Sequence, residues 1–184
     1  MPEWISTLAL AVAALVLLSA YVSWRAGRLD RLHTRGETAY AALDAALLRR
    51  GAVVLELASS AALEPASAVL LGDAAARARR AHGQGRAVRE PAESNLSRAL
   101  RAVAEEPGFA AELAAFDGPG EDVFVEIEAA AKRVMLARRF YNDAVADIRE
   151  ARSSRLVRLL RLAGSAPVPE FFEMDDEPPA VASR

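Results

Sequence analysis

Few side chains in this 184-residue sequence have the type and spacing that catalysis or metal binding requires. The two histidines, His33 and His82, lie far apart, with no second ligand at the spacing of a metal site. Ser59 and Ser60 lack a nucleophile motif, and the Gly-Gln-Gly stretch at 83–85 lacks the rest of a nucleotide-binding fingerprint. The sequence therefore predicts no catalytic residue, no metal site, no cofactor and no small-molecule substrate.

Composition favours closely packed helices. Apolar residues make up 53% of the chain but aromatic residues only 6%, so the core must be built mainly from Ala, Leu and Val. A formal net charge of −2 implies no global attraction to nucleic acid, which is therefore not an expected partner. The absence of cysteine excludes disulfides, thiolate metal sites and a cysteine nucleophile.

An apolar run near the start of the chain is the clearest single feature. No charged residue occurs from Ile5 to Val22, and residues 4–24 as a helix would extend about 30 Å, the thickness of a bilayer core. A cleaved signal peptide is disfavoured because no basic residue precedes the run. Residues 1–26 are therefore expected to form an uncleaved membrane anchor. Aromatic residues stand at both ends, where interfacial side chains are expected: Trp4, Tyr21 and Trp24.

Arginines give this anchor a direction. No Lys or Arg precedes the run, whereas four arginines follow it directly: Arg25, Arg28, Arg31 and Arg35. Because positive residues favour the cytoplasmic side, the remainder of the chain is expected in the cytoplasm and the short N-terminus outside. The prediction is a single-pass protein of the cell membrane.

Behind the anchor, apolar residues recur at helical spacing. A stripe over residues 29–57 has no helix breaker, so the anchor is expected to continue as one long helix. The same spacing over residues 123–148 predicts a second long helix, opened by Glu121 and Asp122. Shorter helices are predicted between them at 67–82, at 91–103 with Pro91 in the first turn, and at 109–116.

These elements predict an all-α fold. We expect an antiparallel bundle of about four helices over residues 27–164, with the first and last helices long. Residues 165–184 are rich in proline and acids and are expected to form a tail, disordered from about Met174. The Phe171-Phe172 pair is expected to dock on the bundle, or alternatively to serve as a short motif for a protein partner.

One group of residues indicates a structural polar network. Arg50 falls where the apolar stripe predicts a core residue, so it either extends to the bundle edge or pairs with an acid of the last helix. Tyr141 lies on the core stripe, and Asn142 is a poor mid-helix residue unless its amide is used. The candidate network is Arg50, Tyr141, Asn142 and Asp143, and the alternative is ordinary packing with a local hydrogen bond.

A second group is basic. Arg155, Arg158 and Arg161 share one helical face, with Leu156 and its apolar neighbours on the other. Such a segment either packs on the bundle through its apolar side or contacts anionic lipid head groups through its arginines.

Four stretches, taken in order, resemble the LemA family of bacterial membrane proteins over nearly the whole chain. They are Leu-x-Arg-Arg (Leu47, Arg49, Arg50), Ala-Glu-x-x-Leu-x-x-Ala-Leu (Ala92, Glu93, Leu96, Ala99, Leu100), Ala-Arg-x-x-Tyr-Asn-x-x-Val (Ala137, Arg138, Tyr141, Asn142, Val145) and Phe-Phe-Glu at 171–173. The Tyr-Asn stretch is the most specific of them.

The sequence also departs from the family pattern. Where the family usually has Asp and a Pro-Asn pair after the two arginines, this chain has Ala52, Leu55 and Glu56, and Ile148-Arg149 replaces a second Tyr-Asn pair. The resemblance is thus to a divergent member. It implies a helical bundle on one anchor, with the N-terminus outside and no established enzymatic activity.

Two functional hypotheses follow. The first is a non-enzymatic scaffold or adaptor at the cytoplasmic face of the membrane, with an unidentified protein partner. The second is a membrane-surface sensor or shaper that binds anionic lipid through Arg155, Arg158 and Arg161.

Overall fold

The computed structural model describes residues 3–115, 120–154, 157–158 and 167–179. Within those ranges every regular element is a helix, which confirms the all-α prediction. The helices are α1 (Glu3–Ser59), α2 (Pro65–Ala81), α3 (Arg86–Ala104), α4 (Phe109–Ala115) and α5 (Gly120–Ser153). As predicted, α1 continues from the apolar run without a break, and α1 and α5 are the longest helices.

The chain forms two compact units. Unit 1 comprises Met1–Thr38 and Asp143–Glu170, and unit 2 comprises Ala39–Asn142 and Phe171–Arg184. Helices α1 and α5 therefore contribute residues to both units, whereas α2, α3 and α4 belong to unit 2.

The apolar start of α1 is exposed along its length. Its most apolar 18-residue window has a mean hydropathy of 2.3, and none of that window is buried. The helix is therefore long and apolar enough to cross a membrane. The three aromatic residues at the ends of the run are exposed as well: Trp4, Tyr21 and Trp24.

Unit 1 also contains a close approach of α1 to α5. Gly36 is buried, and Ile148 of α5 packs so near that a Cβ at position 36 would lie 2.8 Å from the Ile148 Cδ1 atom. An exposed ion pair joins Arg35 to Asp147 at 3.0 Å beside this contact. An added methyl group at position 36 would therefore require the Ile148 side chain to shift.

In unit 2 the helix directions alternate. Helix α2 turns into the antiparallel α3 through residues 82–85, where Gly83 takes a positive φ of 76°. Contacts of Tyr40 with Tyr141 and of Arg49 with Glu126 show that α5 runs antiparallel to α1. The core between these helices is mainly aliphatic and includes Val54, Leu71, Leu96, Leu100 and Ile127. This arrangement supports the predicted antiparallel bundle.

The start of α3 differs from the prediction. The helix begins at Arg86, so Pro91 lies in its interior instead of its first turn. A proline there removes a hydrogen bond to the carbonyl four residues earlier, that of Ala87. Because Ala87 is exposed, water can satisfy its carbonyl, and the helix tolerates the proline.

Two glycines of α1 provide a matched test of the α1–α5 approach in unit 1. An added Cβ at Gly51 meets no atom within 4 Å, so Gly51→Ala should stabilise the fold by about 0.5–1 kcal/mol through helix propensity. Gly36→Ala should gain less or destabilise the protein, because its methyl group meets Ile148. Ile148→Val removes the obstructing Cδ1 and should restore the gain. Thermal unfolding followed by circular dichroism measures each effect, and equal shifts at the two glycines would contradict the close packing.

Candidate functional site

Two buried arginines join α1 and α3 in unit 2, and each helix contributes one of them. Arg50 of α1 is 1% exposed and donates from Nη2 to the Glu93 carboxylate at 2.8 Å and to the Glu93 carbonyl at 3.2 Å. Its Nη1 donates to Ser97 Oγ at 2.8 Å. Two neighbouring turns of α3 thus bind both terminal nitrogens of Arg50, whereas its buried Nε has no hydrogen-bond partner.

The reciprocal arginine is Arg89 of α3, which is 3% exposed. Its Nη2 lies 2.6 Å from a carboxylate oxygen of Asp44, and its Nη1 donates to the Tyr40 hydroxyl at 3.4 Å. Tyr40 in turn packs on Tyr141, with ring centroids 5.4 Å apart. Because these contacts follow the same order along both helices, α1 and α3 run parallel. Each helix supplies an arginine that is paired with an acidic residue of the other helix.

Burial governs the electrostatics of this cluster. Loss of solvent lowers the pKa of the Arg50 guanidinium, and the charge and hydrogen bond of Glu93 oppose that shift. Asp176 and Asp175, both in the C-terminal tail, oppose it further through their charges. The tail thus contributes to the field that keeps a buried cation charged.

The tail reaches this cluster by inserting Phe172, which is fully buried. The Asn142 side chain of α5 holds its backbone on both sides, accepting from the Phe172 N–H at 2.9 Å and donating to the Phe172 carbonyl at 3.2 Å. The Arg89 guanidinium lies 6.0 Å from the centre of the Phe172 ring, within the range of a cation–π contact. The expected docking of the Phe-Phe pair is therefore confirmed for Phe172.

Alternate tail residues then contact one face of α3. Arg86 donates to the Phe171 carbonyl, the Glu173 N–H donates to Glu90 at 3.0 Å, and the Asp175 N–H donates to Ser94 Oγ at 3.1 Å. Two residues of extended chain span about 6.6 Å and four residues of helix about 6 Å. Each advance of two residues along the tail therefore matches an advance of four residues along α3, and this match holds twice in succession.

Two arginine forks complete the attachment. Arg101 of α3 makes two hydrogen bonds to the Asp175 carboxylate and a third, at 3.0 Å, to the Glu177 carbonyl. Arg138 of α5 binds Asp176 through Nε at 2.7 Å and Nη2 at 3.1 Å. The hydrogen bonds from Arg101 hold the pKa of the Asp175 carboxyl below its usual range. We call the face formed by these α3 and α5 residues the tail groove: Arg86, Glu90, Ser94, Arg101, Arg138 and Asn142.

The predicted tail disorder from Met174 is therefore wrong for residues 174–179. Asp175 and Asp176 are paired, and Pro179 is buried. Low apolar content does not prevent ordering here, because arginines of the bundle compensate the acidic charges. Residues 180–184 lie outside the described part of the chain.

The predicted network is correct in part. Arg50 is a buried paired residue, but its partner is Glu93 of α3, so pairing with an acid of the last helix is wrong. Tyr141 is buried as predicted, and the Asn142 amide is used, although by the tail. Asp143 is an exposed residue of unit 1.

The acceptors of the buried arginines and the arginine–carboxylate pairs of the tail were not anticipated from the sequence. The Asp44–Arg89 pair, the role of Ser97, and the Arg101–Asp175 and Arg138–Asp176 pairs were not predicted. A usable signal was the α3 spacing of positions 86, 90, 94 and 101, which places polar residues along one helical face. That face is the one the tail covers.

Only part of the basic segment falls within the described residues. Arg158 is exposed and the adjacent Val157 is 4% exposed, which fits one polar and one apolar side. Arg155 and Arg161 lie outside the described residues.

Each of the two histidines lies near a polar group of another residue. His33 Nδ1 lies 2.9 Å from the Leu29 carbonyl, and His82 Nδ1 lies 3.4 Å from a carboxylate oxygen of Asp44. The residues that the structure describes contain no cluster of three or more potential metal ligands. A cleft of about 240 Å³ lies beside Glu93, between Leu47 and Ala78, and its lining is mainly apolar.

Comparison with protein-family models, with curated proteins and with solved structures gives no match for this chain.

A double-mutant cycle tests the buried pair. Arg50→Met and Glu93→Leu each leave one uncompensated buried charge and should cost about 3–5 kcal/mol. The double variant should cost much less than the sum, because neither charge remains. Unfolding in detergent micelles, followed by circular dichroism, measures these values. In unit 1, Arg35→Met is the matched control, because an exposed pair contributes only about 0–1 kcal/mol. Additive losses at Arg50 and Glu93 would contradict direct pairing.

Acid should release the tail. Because Asp175 has a lowered pKa in the docked state, its contribution is complete above the ordinary carboxyl pKa of about 4 and is lost as the pH falls through the lowered value. Hydrogen exchange at the Phe172 and Asp175 amides should therefore show protection that is constant from neutral pH to about 4 and declines below it. Asp175→Asn should reduce protection at neutral pH and flatten this dependence. An unchanged profile in that variant would refute the assignment.

Proposed function

We propose that this chain is a divergent LemA-like protein that is anchored in the membrane by the start of α1 and acts, without enzymatic activity, as a scaffold or adaptor at the cytoplasmic face. The observation that carries the proposal is the unburied apolar start of α1, which has no counterpart surface in the described structure. In water such a face would be unstable, whereas a bilayer satisfies it.

The arrangement of unit 2 supports the family assignment. Three of the four stretches that resemble the family supply Arg50, Glu93 and the pair Arg138 and Asn142, and the fourth supplies Phe172. Residues that are remote in sequence therefore meet in one cluster of contacts. A shared architecture accounts for such stretches without requiring a shared reaction.

The use of polar groups supports a binding role in preference to catalysis. The buried carboxylate of Glu93 is paired with Arg50, and the Asn142 amide is occupied by the Phe172 backbone. These contacts hold the helices and the tail together, and they occupy both groups, so that neither is directed toward a substrate. By contrast, α5 presents large apolar side chains to solvent at Val125, Leu136 and Phe140. Such surface is suited to protein contact.

Topology can be tested with single cysteines, because the chain has none of its own. Glu3→Cys precedes the apolar run, and Glu37→Cys is an exposed position behind it. In intact cells a membrane-impermeant maleimide should label position 3 and should label position 37 only after permeabilisation. The protein should also resist extraction by alkaline carbonate. Labelling of position 37 in intact cells would contradict the orientation, and release by carbonate would contradict the anchor.

A second candidate function is recognition of anionic lipid, which the exposed Arg158 beside buried Val157 favours. Basic residues near an anionic surface contribute about 1 kcal/mol each, so replacing Arg155, Arg158 and Arg161 by Gln should weaken binding by up to about 100-fold. Vesicle co-sedimentation of the chain without residues 1–26 measures this, with circular dichroism to verify folding. Binding that is equal on neutral and anionic vesicles, or insensitive to salt, would exclude this function.

A further inference from the structure

The cleft of about 240 Å³ beside Glu93 is formed by three helices of unit 2. Helix α1 contributes Leu47 and Leu48, α2 contributes Ala78 and Arg79, and α3 contributes Glu93. Most of the wall is apolar. Because water solvates an apolar wall poorly, such a space favours an apolar occupant.

Gly51 of α1 gives independent evidence that this space is open. It lines the cleft and is buried, yet an added Cβ at this position meets no atom within 4 Å. A buried position normally packs against its neighbours, because protein interiors contain few voids larger than a water molecule. The absence of a side chain at Gly51 therefore helps to form the cleft, and a larger residue there would fill it.

The charges around the cleft differ between its inner end and its mouth. Glu93 is buried, and its carboxylate is neutralised by Arg50 at 2.8 Å. Arg79 is exposed, and no carboxylate of the described residues pairs with it. The inner end thus carries no net charge, whereas the mouth carries one cation. This combination suits a molecule that has an apolar body and one anionic end.

The volume limits the size of the apolar body. A cavity of about 150 Å³ holds one benzene molecule, so 240 Å³ corresponds to roughly ten carbon atoms. A medium-chain carboxylate therefore fits, whereas a bilayer lipid, with two longer acyl chains, does not.

We propose that this cleft binds a free medium-chain carboxylate, whose chain occupies the space beside Gly51 and whose carboxylate pairs with Arg79. The bound molecule contacts α1, α2 and α3 together, so it stabilises the packing of these three helices. This inference gives the chain a small-molecule ligand in addition to its proposed scaffold role, and it does not depend on the membrane anchor.

Octanoate is the probe, and methyl NMR of the full-length chain in nanodiscs of neutral lipid is the measurement. With isotope-labelled leucine and alanine methyl groups, titration should shift the signals of Leu47, Leu48 and Ala78. The shifts should saturate with a Kd of about 1 mM, as roughly ten non-hydrogen atoms of ordinary ligand efficiency imply. Leu100, a core residue away from the cleft lining, should not respond. Butanoate should not saturate in the same range, because it buries fewer methylenes.

Octanol and two arginine variants test the anionic end. Octanol has the same chain without the charge, so it should bind about two- to fivefold more weakly than octanoate. Arg79→Gln should weaken octanoate binding by the same factor and remove its advantage over octanol. Arg80→Gln changes an exposed neighbour outside the cleft lining and should leave the Kd unchanged. Equal binding of octanoate and octanol, or an unchanged Kd in Arg79→Gln, would overturn the proposal.

Substitutions at Gly51 test the location. Gly51→Leu should lower the affinity for octanoate by about tenfold or more, because its side chain takes the space of several methylenes. Gly51→Ala adds one methyl group and should retain most of the binding. Circular dichroism verifies that both variants fold, and if Gly51→Leu does not, the comparisons of chain length and of Arg79 decide. Absence of saturable shifts at Leu47, Leu48 and Ala78, or undiminished affinity in a folded Gly51→Leu variant, would refute binding in this cleft.

Discussion

The buried guanidinium of Arg50 is the constraint on which the architecture of unit 2 depends. A cation at 1% exposure is tolerated only if acceptors that are fixed in position compensate its charge. Glu93 and Ser97 supply them from adjacent turns of α3, which fixes both the distance and the register between α1 and α3. An aliphatic contact would permit the helices to slide. The directional ion pair favours one position of α1 along α3.

The tail follows from the same constraint. The second buried arginine, Arg89, lies under the site of Phe172, and two tail acids lower the cost of burying Arg50. The tail therefore covers the apolar side of the cluster with Phe172, and its acidic residues also balance the positive charge of the cluster. Exposed acidic tails are usually solvated, and this one is ordered over residues 171–179 because the bundle surface beneath it is rich in arginine.

The features that the sequence predicts correctly are those that follow from the spacing of its apolar residues. The 3-4 spacing in α1 and α5 predicts both long helices, since a buried stripe is a local property of one element. It also predicts that Tyr141 is buried, because Tyr141 falls on that stripe. For Arg50 the stripe left two alternatives, the bundle edge or a buried pair, and the structure shows the buried pair. The partner of Arg50 could not be predicted in the same way. Glu93 lies 43 residues away in another helix, and pairing depends on helix azimuth, which no local pattern specifies.

Of the 23 Lys and Arg residues in this chain, 22 are arginine, and these contacts give that preference a physical basis. Arg101 and Arg138 each bind a carboxylate through two nitrogens, and Arg50 serves three acceptors in two directions. A lysine ammonium is a single point of charge and could not hold a planar carboxylate in one orientation. Exposed partners such as Arg35 and Asp147 make one contact and would tolerate lysine. The requirement for arginine is therefore concentrated where the tail meets the bundle, which marks that junction as the part of the molecule under the tightest geometric control.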